Sequence, residues 1–153
     1  RRGVGVSPLH GRERLSRGAV DSLELSLQTG GAPAVVDITD RAAGFVAGKG
    51  DGLLSVFLPH ATAGLAVIET GAGSDRDLLT HLDALFPRDD RWVHRHGAAG
   101  HGADHVMPAF VSPSLVVPVV AGRLALGTWQ SLVVVDPNRD NRTRRVRFSF
   151  LPG

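Results

Sequence analysis

Leu115 to Leu151 runs LVVPVVAGRLALGTWQSLVVVDPNRDNRTRRVRFSFL, and its punctuation decides the fold. Apolar, β-branched stretches at 115–120, 124–125, 128–135 and 143–151 are separated by turns at Gly122 and at Asp136-Pro137-Asn138. Such runs, bounded by Gly, Pro and Asn, read as strands. The connections are too short for the crossover helix that parallel neighbours need, so these strands pair antiparallel.

Working outward, Leu23, Leu25 and Leu27 alternate within 22–28, which reads as a half-buried strand before a Gly30-Gly31-Ala32-Pro33 turn. Further strands are expected at 34–38, 53–58 and 65–69. One helix is expected from Thr39-Asp40, which offer capping oxygens, through Lys49. A second starts at Ser74 as N-cap with Asp77 at N3, carries the stripe Leu78, Leu82, Leu85 and Phe86, and stops at Pro87. Residues 88–104 form a long Gly- and His-rich loop, followed by a short helical turn over 105–110. There is no internal repeat. The expectation is an α+β, mainly β chain: an antiparallel sandwich carrying two or three helices, spanning 19–153 as a single domain behind a flexible basic arm at 1–18.

Charge is unevenly placed. Residues 1–18 hold five Arg and one Glu, residues 139–147 five Arg and one Asp, and residues 19–138 a net charge of −6. The body is acidic with two basic segments attached. Aromatics are 5% of the chain and Tyr is absent, which leaves little for stacking bases, so nucleic acid is not an expected partner. No apolar run approaches the roughly 18 residues that span a bilayer, so no membrane role is expected. The absence of Cys excludes disulfides and Cys-ligated zinc and fits a cytoplasmic protein.

The residues able to carry chemistry are few. His60 and Thr62 face one way if the backbone is extended, an imidazole beside a hydroxyl suited to phosphate; otherwise His60 is a solvent-facing residue after Pro59. His94, His96, His101 and His105 crowd one loop, either as metal ligands or as a His-rich polar stretch, and match no standard zinc spacing. Glu69 closes an apolar strand and, if buried, would be a general base with a raised pKa; in water it is an ordinary strand end. Trp129 and Gln130 fall on opposite faces of a strand, the indole either core or a stacking surface. Among Arg142, Arg144, Arg145 and Arg147, one inward Arg could clamp a phosphate while the rest are solvated.

Several of these pieces stand in a familiar order. Pro59-His60-Ala61-Thr62 leading to Glu69, Trp92-Val93-His94, His105, Gly127-Thr128-Trp129-Gln130 and Arg144-Arg145-Val146 together resemble the YjbQ-like family, over residues 20–153. The resemblance implies a β-sandwich assembled as a homotrimer, with sites near subunit interfaces. It also implies a thiamine-phosphate synthase reaction, coupling a pyrimidine pyrophosphate to a thiazole phosphate with release of pyrophosphate and with Mg²⁺ supplied. His60 and His105 would then bind phosphate or move protons, supported by His94, and Glu69 would be a base or an orienting carboxylate. Thr62 and Arg145 would bind phosphate, and Thr128, Trp129 and Gln130 would shape the pocket. Two alternatives use the same residues: a zinc-dependent enzyme or metal-binding protein with His60, His94 and His105 as ligands, or a non-catalytic trimer binding a small phosphorylated molecule. His96 and His101 are expected to be no more than polar loop residues.

Overall fold

The computed structural model describes residues 20–153; the arm expected at 1–18 lies outside them. The order is β1 (Asp21–Gln28), β2 (Ala34–Asp37), α1 (Thr39–Val46), β3 (Gly52–Phe57), β4 (Gly64–Ile68), α2 (Ser74–Leu85), α3 (Gly102–Val106) running into a 3-10 turn (Met107–Ala109), β5 (Ser114–Val120), β6 (Arg123–Leu124), β7 (Ser131–Asp136) and β8 (Thr143–Pro152). One sheet has the order β1-β8-β3-β5-β6 and the other β2-β7-β4, and every pairing is antiparallel. The expected mainly antiparallel architecture with helices packed on it is therefore what the chain adopts. Among the described residues no helix is long and apolar enough to cross a membrane.

The strand β7 explains the layering. Leu132 and Val134 point into the core between the sheets, beside Leu54, Val56, Val146, Phe148 and Phe150. Val133 and Val135 point the other way, onto Leu82 of α2 and Met107. A strand covered on both faces needs a continuous apolar run rather than alternation, which is what 132–135 supplies. Against it, β8 alternates buried Val146, Phe148 and Phe150 with outward Arg145 and Arg147.

Three local expectations are corrected. Residues 128–130 are not strand: Gln130 N–H bonds Gly127 O at 3.0 Å and its own Oε1 accepts from Gly127 N–H at 2.8 Å, closing a turn ahead of β7. Thr128, Trp129 and Gln130 are all exposed. Leu85 leaves the α2 stripe and is 70% exposed, because Leu79 takes up the contact with the sheet instead. The helix α1 ends at Val46 rather than Lys49, and neither α1 nor α2 is closed at its start by a side-chain cap. Gly73 precedes α2 in the left-handed region, with Ser74 its first residue.

Gly64 at the head of β4 shows how closely the segment after the 3-10 turn lies on the sheet. A Cβ there would sit 2.0 Å from Val111 O, where Leu65 N–H also reaches Ser112 O at 2.8 Å. Gly64→Ala therefore has to separate two backbones. We expect it to cost about 3 kcal/mol or more in urea unfolding; a loss within experimental error would contradict this packing.

Candidate functional site

The loop after α2 is held from within. Pro87 stops the helix, and its carbonyl then accepts from Trp92 Nε1–H at 2.7 Å. Arg88 turns inward and donates from Nη2 to Asp104 at 2.5 Å and to Pro137 O at 2.6 Å. The glycines permit the wrap. At Gly102 a Cβ would lie 2.5 Å from the Trp92 Cβ, and at Gly100, whose φ is +76°, 2.5 Å from the Arg88 Cβ.

This folding gathers imidazoles. His101 and His105 are one helical turn apart, and their Nε2 atoms are 2.8 Å from each other. His94 lies over them, its ring centroid 4.2 Å from that of His105 and 5.9 Å from that of His101. One nitrogen from each of His94, His101 and His105 falls within 4.8 Å of the other two. His94 Nε2 is buried without any hydrogen-bond partner, the single such side-chain atom found among the described residues. His96 is exposed and stands against His94 at 4.0 Å between centroids. Beside the group is a hollow of about 270 Å³ lined by Asp89, Asp90, Trp92, His94, Arg95 and His101.

The surroundings disfavour the charged form of two of these rings, His94 and His105. Burial, then the neighbouring imidazoles His96 and His101, push the His94 pKa down. Burial, then His94, His101 and His96, push His105 down, opposed by the Asp104 carboxylate. Neutral imidazole is the form that offers a lone pair to a metal.

The acceptors around the cluster come from elsewhere in the chain. Asp140 Oδ2 is 2.8 Å from His101 Nδ1. Asp104, 2% exposed, takes the Arg88 guanidinium on one oxygen and Asn138 Nδ2–H at 2.8 Å on the other. Arg88, Asp104, Asn138, Asp140 and the role of His101 were all missed by sequence reasoning. The available signal was the four-residue spacing of His101 and His105 next to Asp104.

The remaining expected residues lie apart. His60 is not a member of the cluster, so the convergence expected of His60, His94 and His105 is met by His94 and His105 with His101 in the third place. His60 Nε2 instead accepts the Arg145 backbone N–H at 2.8 Å. Thr62 is buried two residues away. The inward Arg is Arg144, and it clamps Asp136 rather than facing a ligand; Arg145 points outward and pairs with Glu24 at 3.4 Å. Glu69 is exposed past the end of β4, so the burial on which its general-base reading depended is absent. It sits with Thr128, Trp129 and Gln130 at the Ile68–Ser131 end of the β4–β7 pair, next to a second hollow of about 470 Å³ lined by Asp37, Thr39, Asp40, Arg41 and Ser131.

His60 gives a pH prediction. Burial, then the charges of Arg144 and Arg145, lower its pKa from 6.5. As pH falls through that value the unfolded chain takes up a proton that folded His60 refuses, so stability is lost until the folded pKa is reached. As the pH falls below about 6.5 the unfolding free energy should drop more steeply in wild type than in His60→Gln. Equal slopes in urea titrations at matched pH would contradict this.

A family model described as "UPF0047 protein YjbQ-like" matches residues 23–153. A UPF0047 protein of Mycobacterium tuberculosis (strain H37Rv) is 60% identical over 119 residues, covering 78% of this chain and 90% of that protein. One from Archaeoglobus fulgidus is 36% identical over 125 residues, covering 81% and 96%. Among solved structures, a YbjQ-like protein of unknown function from Sulfolobus solfataricus P2 superposes with a TM-score of 0.80 at 26% identity, over 88% of this chain and 99% of that one. A hypothetical protein from Aeropyrum pernix K1 gives 0.78 at 30% identity, over 87% and 99%.

Proposed function

The chain belongs to the YjbQ-like UPF0047 family, and from that premise we propose that it is a metal-dependent enzyme acting on a small phosphorylated molecule, with a zinc-type ion held by His94, His101 and His105. The observation that carries this reading is the gathering of one nitrogen from each of His94, His101 and His105 within 4.8 Å, on a His94 ring whose Nε2 is buried without a partner. Leaving a buried polar atom unsatisfied is costly, and a metal removes that cost. Three neutral imidazoles with an open fourth position are the ligand set of a catalytic zinc, which supplies an activated water or polarises a phosphoryl or carbonyl oxygen.

The chain's own groups do the rest. The hollow at His94 and His101 admits a small polar molecule, and Arg95 on its wall offers a cation to a phosphoryl group. Asp89 is occupied by Arg91 through three hydrogen bonds from the guanidinium, so it shapes the wall rather than binding. Asp90, on the same wall, is available to a donor group of the substrate. A homotrimer and a cytoplasmic location accompany this reading.

A second reading is the thiamine-phosphate synthase reaction, coupling a pyrimidine pyrophosphate to a thiazole phosphate. It is favoured by the unbroken order of the family's motifs from His60 to Arg145, with exposed Trp129 as a stacking surface for a ring. One preparation separates the two. Protein purified without an affinity tag is analysed for metal and then assayed with the two phosphorylated precursors and Mg²⁺, and in parallel with phosphate-ester substrates, before and after chelation. The metal-dependent reading expects close to one zinc-type ion per chain and activity that chelation removes and zinc restores. Metal-free folded protein whose activity is indifferent to chelator and to added zinc would sink it.

A further inference from the structure

Resting on the three-histidine reading, we propose that the arm Asp136–Asp140 is the outer half of the metal site. In it, Asp140 is a positioning residue that holds His101 in the tautomer whose Nε2 lone pair is free for the ion.

The hydrogen-bond directions leave little freedom. Asn138 is 1% exposed. Its Oδ1 accepts the backbone N–H of Asp140 at 2.8 Å and of Asn141 at 3.1 Å, which fixes that end of the amide as oxygen. The other end is therefore NH₂, and it donates to Asp104 Oδ2 at 2.8 Å. The same NH₂ lies 3.3 Å from His101 Nδ1 and has no lone pair to offer it. The acceptor for a proton on Nδ1 is Asp140 Oδ2 at 2.8 Å, with Asp104 Oδ2 more distant at 3.8 Å. In the neutral ring, with the proton on Nδ1, Nε2 of His101 is a lone pair. The 2.8 Å contact to His105 Nε2 then requires His105 to be the donor. For a metal to take both atoms, His105 would have to carry its proton on Nδ1 instead of Nε2.

The arm is anchored at both ends of this arrangement. Asn138 N–H bonds buried Asp136 at 3.1 Å, and Arg88 bridges Pro137 O to Asp104. The fold thus brings the β7–β8 connection against the α2–α3 loop, and it delivers a carboxylate to the back of one imidazole. A carboxylate behind a ligating imidazole fixes ring orientation and raises ligand basicity, and losing one typically weakens metal affinity about 10–100-fold.

The test uses Zn²⁺ as the probe, in competition with a chromophoric chelator, on full-length wild type, Asp140→Ala and Asp140→Asn. The side chain of Asp140 is 39% exposed, so both variants should fold. Long-range ¹H–¹⁵N spectra of the metal-free proteins report the His101 tautomer, which a merely structural role would not move. We expect Asp140→Ala to bind Zn²⁺ about 10–100-fold more weakly and to lose the single Nδ1–H tautomer. Asp140→Asn, which keeps an acceptor oxygen, should fall between the two. Wild type that binds Zn²⁺ together with Asp140→Ala of unchanged affinity and unchanged tautomer overturns the role of Asp140 alone. Wild type that does not bind Zn²⁺ overturns the three-histidine reading, and this inference with it.

Discussion

Asp136→Ala should lose about 3–5 kcal/mol of unfolding free energy, the largest stability effect expected of any single side chain here. Asp136 is fully buried and Arg144 is 2% exposed. The carboxylate accepts from Arg144 Nε at 2.7 Å and Nη2 at 2.8 Å, from Thr29 Oγ1 at 2.6 Å and from Asn138 N–H at 3.1 Å. Removing it strands a guanidinium, which never loses its proton, in the core. The penalty comes from that unpaired charge rather than from the worth of the ion pair. Replacing both partners with apolar residues, as in Asp136→Leu with Arg144→Met, should therefore recover much of the loss. Urea unfolding of the two single variants and the double variant measures this. A single-variant cost below about 1 kcal/mol would contradict it, since that is the range of exposed pairs such as Arg147 with Glu24.

That pair marks where the sequence was and was not readable. Val146, Phe148 and Phe150 alternate into the core, and of the alternating Leu23, Leu25 and Leu27 the last lies in it, Leu25 packs against it and Leu23 is exposed at the strand's start, because a sheet with one buried face writes its period into the chain. Arg144 shares their parity, so an inward Arg was legible there, although it clamps Asp136 and not the phosphate expected of it. Its partner was not legible, because Asp136 reads as a turn residue and nothing local says that β8 will fold back over it. Trp129 failed for the opposite reason: a local turn closed by Gln130 outweighed the β propensity of Thr128 and Trp129. At the site, sequence reasoning named His94 and His105 and set aside His101. A helix of five residues is too short to show a period, so the turn that aligns His101 with His105 leaves no pattern. Asp140 was counted among a basic segment, and its use depends on loop closure that only packing determines.

His94→Ala, His101→Ala and His105→Ala should each weaken Zn²⁺ binding by more than about 100-fold, beyond the range for a lost outer-shell partner, because each removes a ligand outright. His96→Ala and His60→Ala should leave affinity within a factor of about three, since His96 is exposed beside the group and His60 is engaged with the Arg145 backbone. This comparison separates the ligand set of the folded chain from the His60, His94 and His105 set of the sequence. Stability supplies a second readout. An ion that binds only the folded chain stabilises wild type by about 2.7 kcal/mol at 100 times its Kd, and the three ligand variants should not show that gain. Without metal the order changes for one of them. His94→Ala removes a buried nitrogen that has no partner, so its metal-free form should unfold no more easily than metal-free wild type. A variant neutral without the ion and deficient only with it identifies a residue retained for binding. If metal-free His94→Ala is markedly unstable, His94 is a packing residue and the site must be read without it.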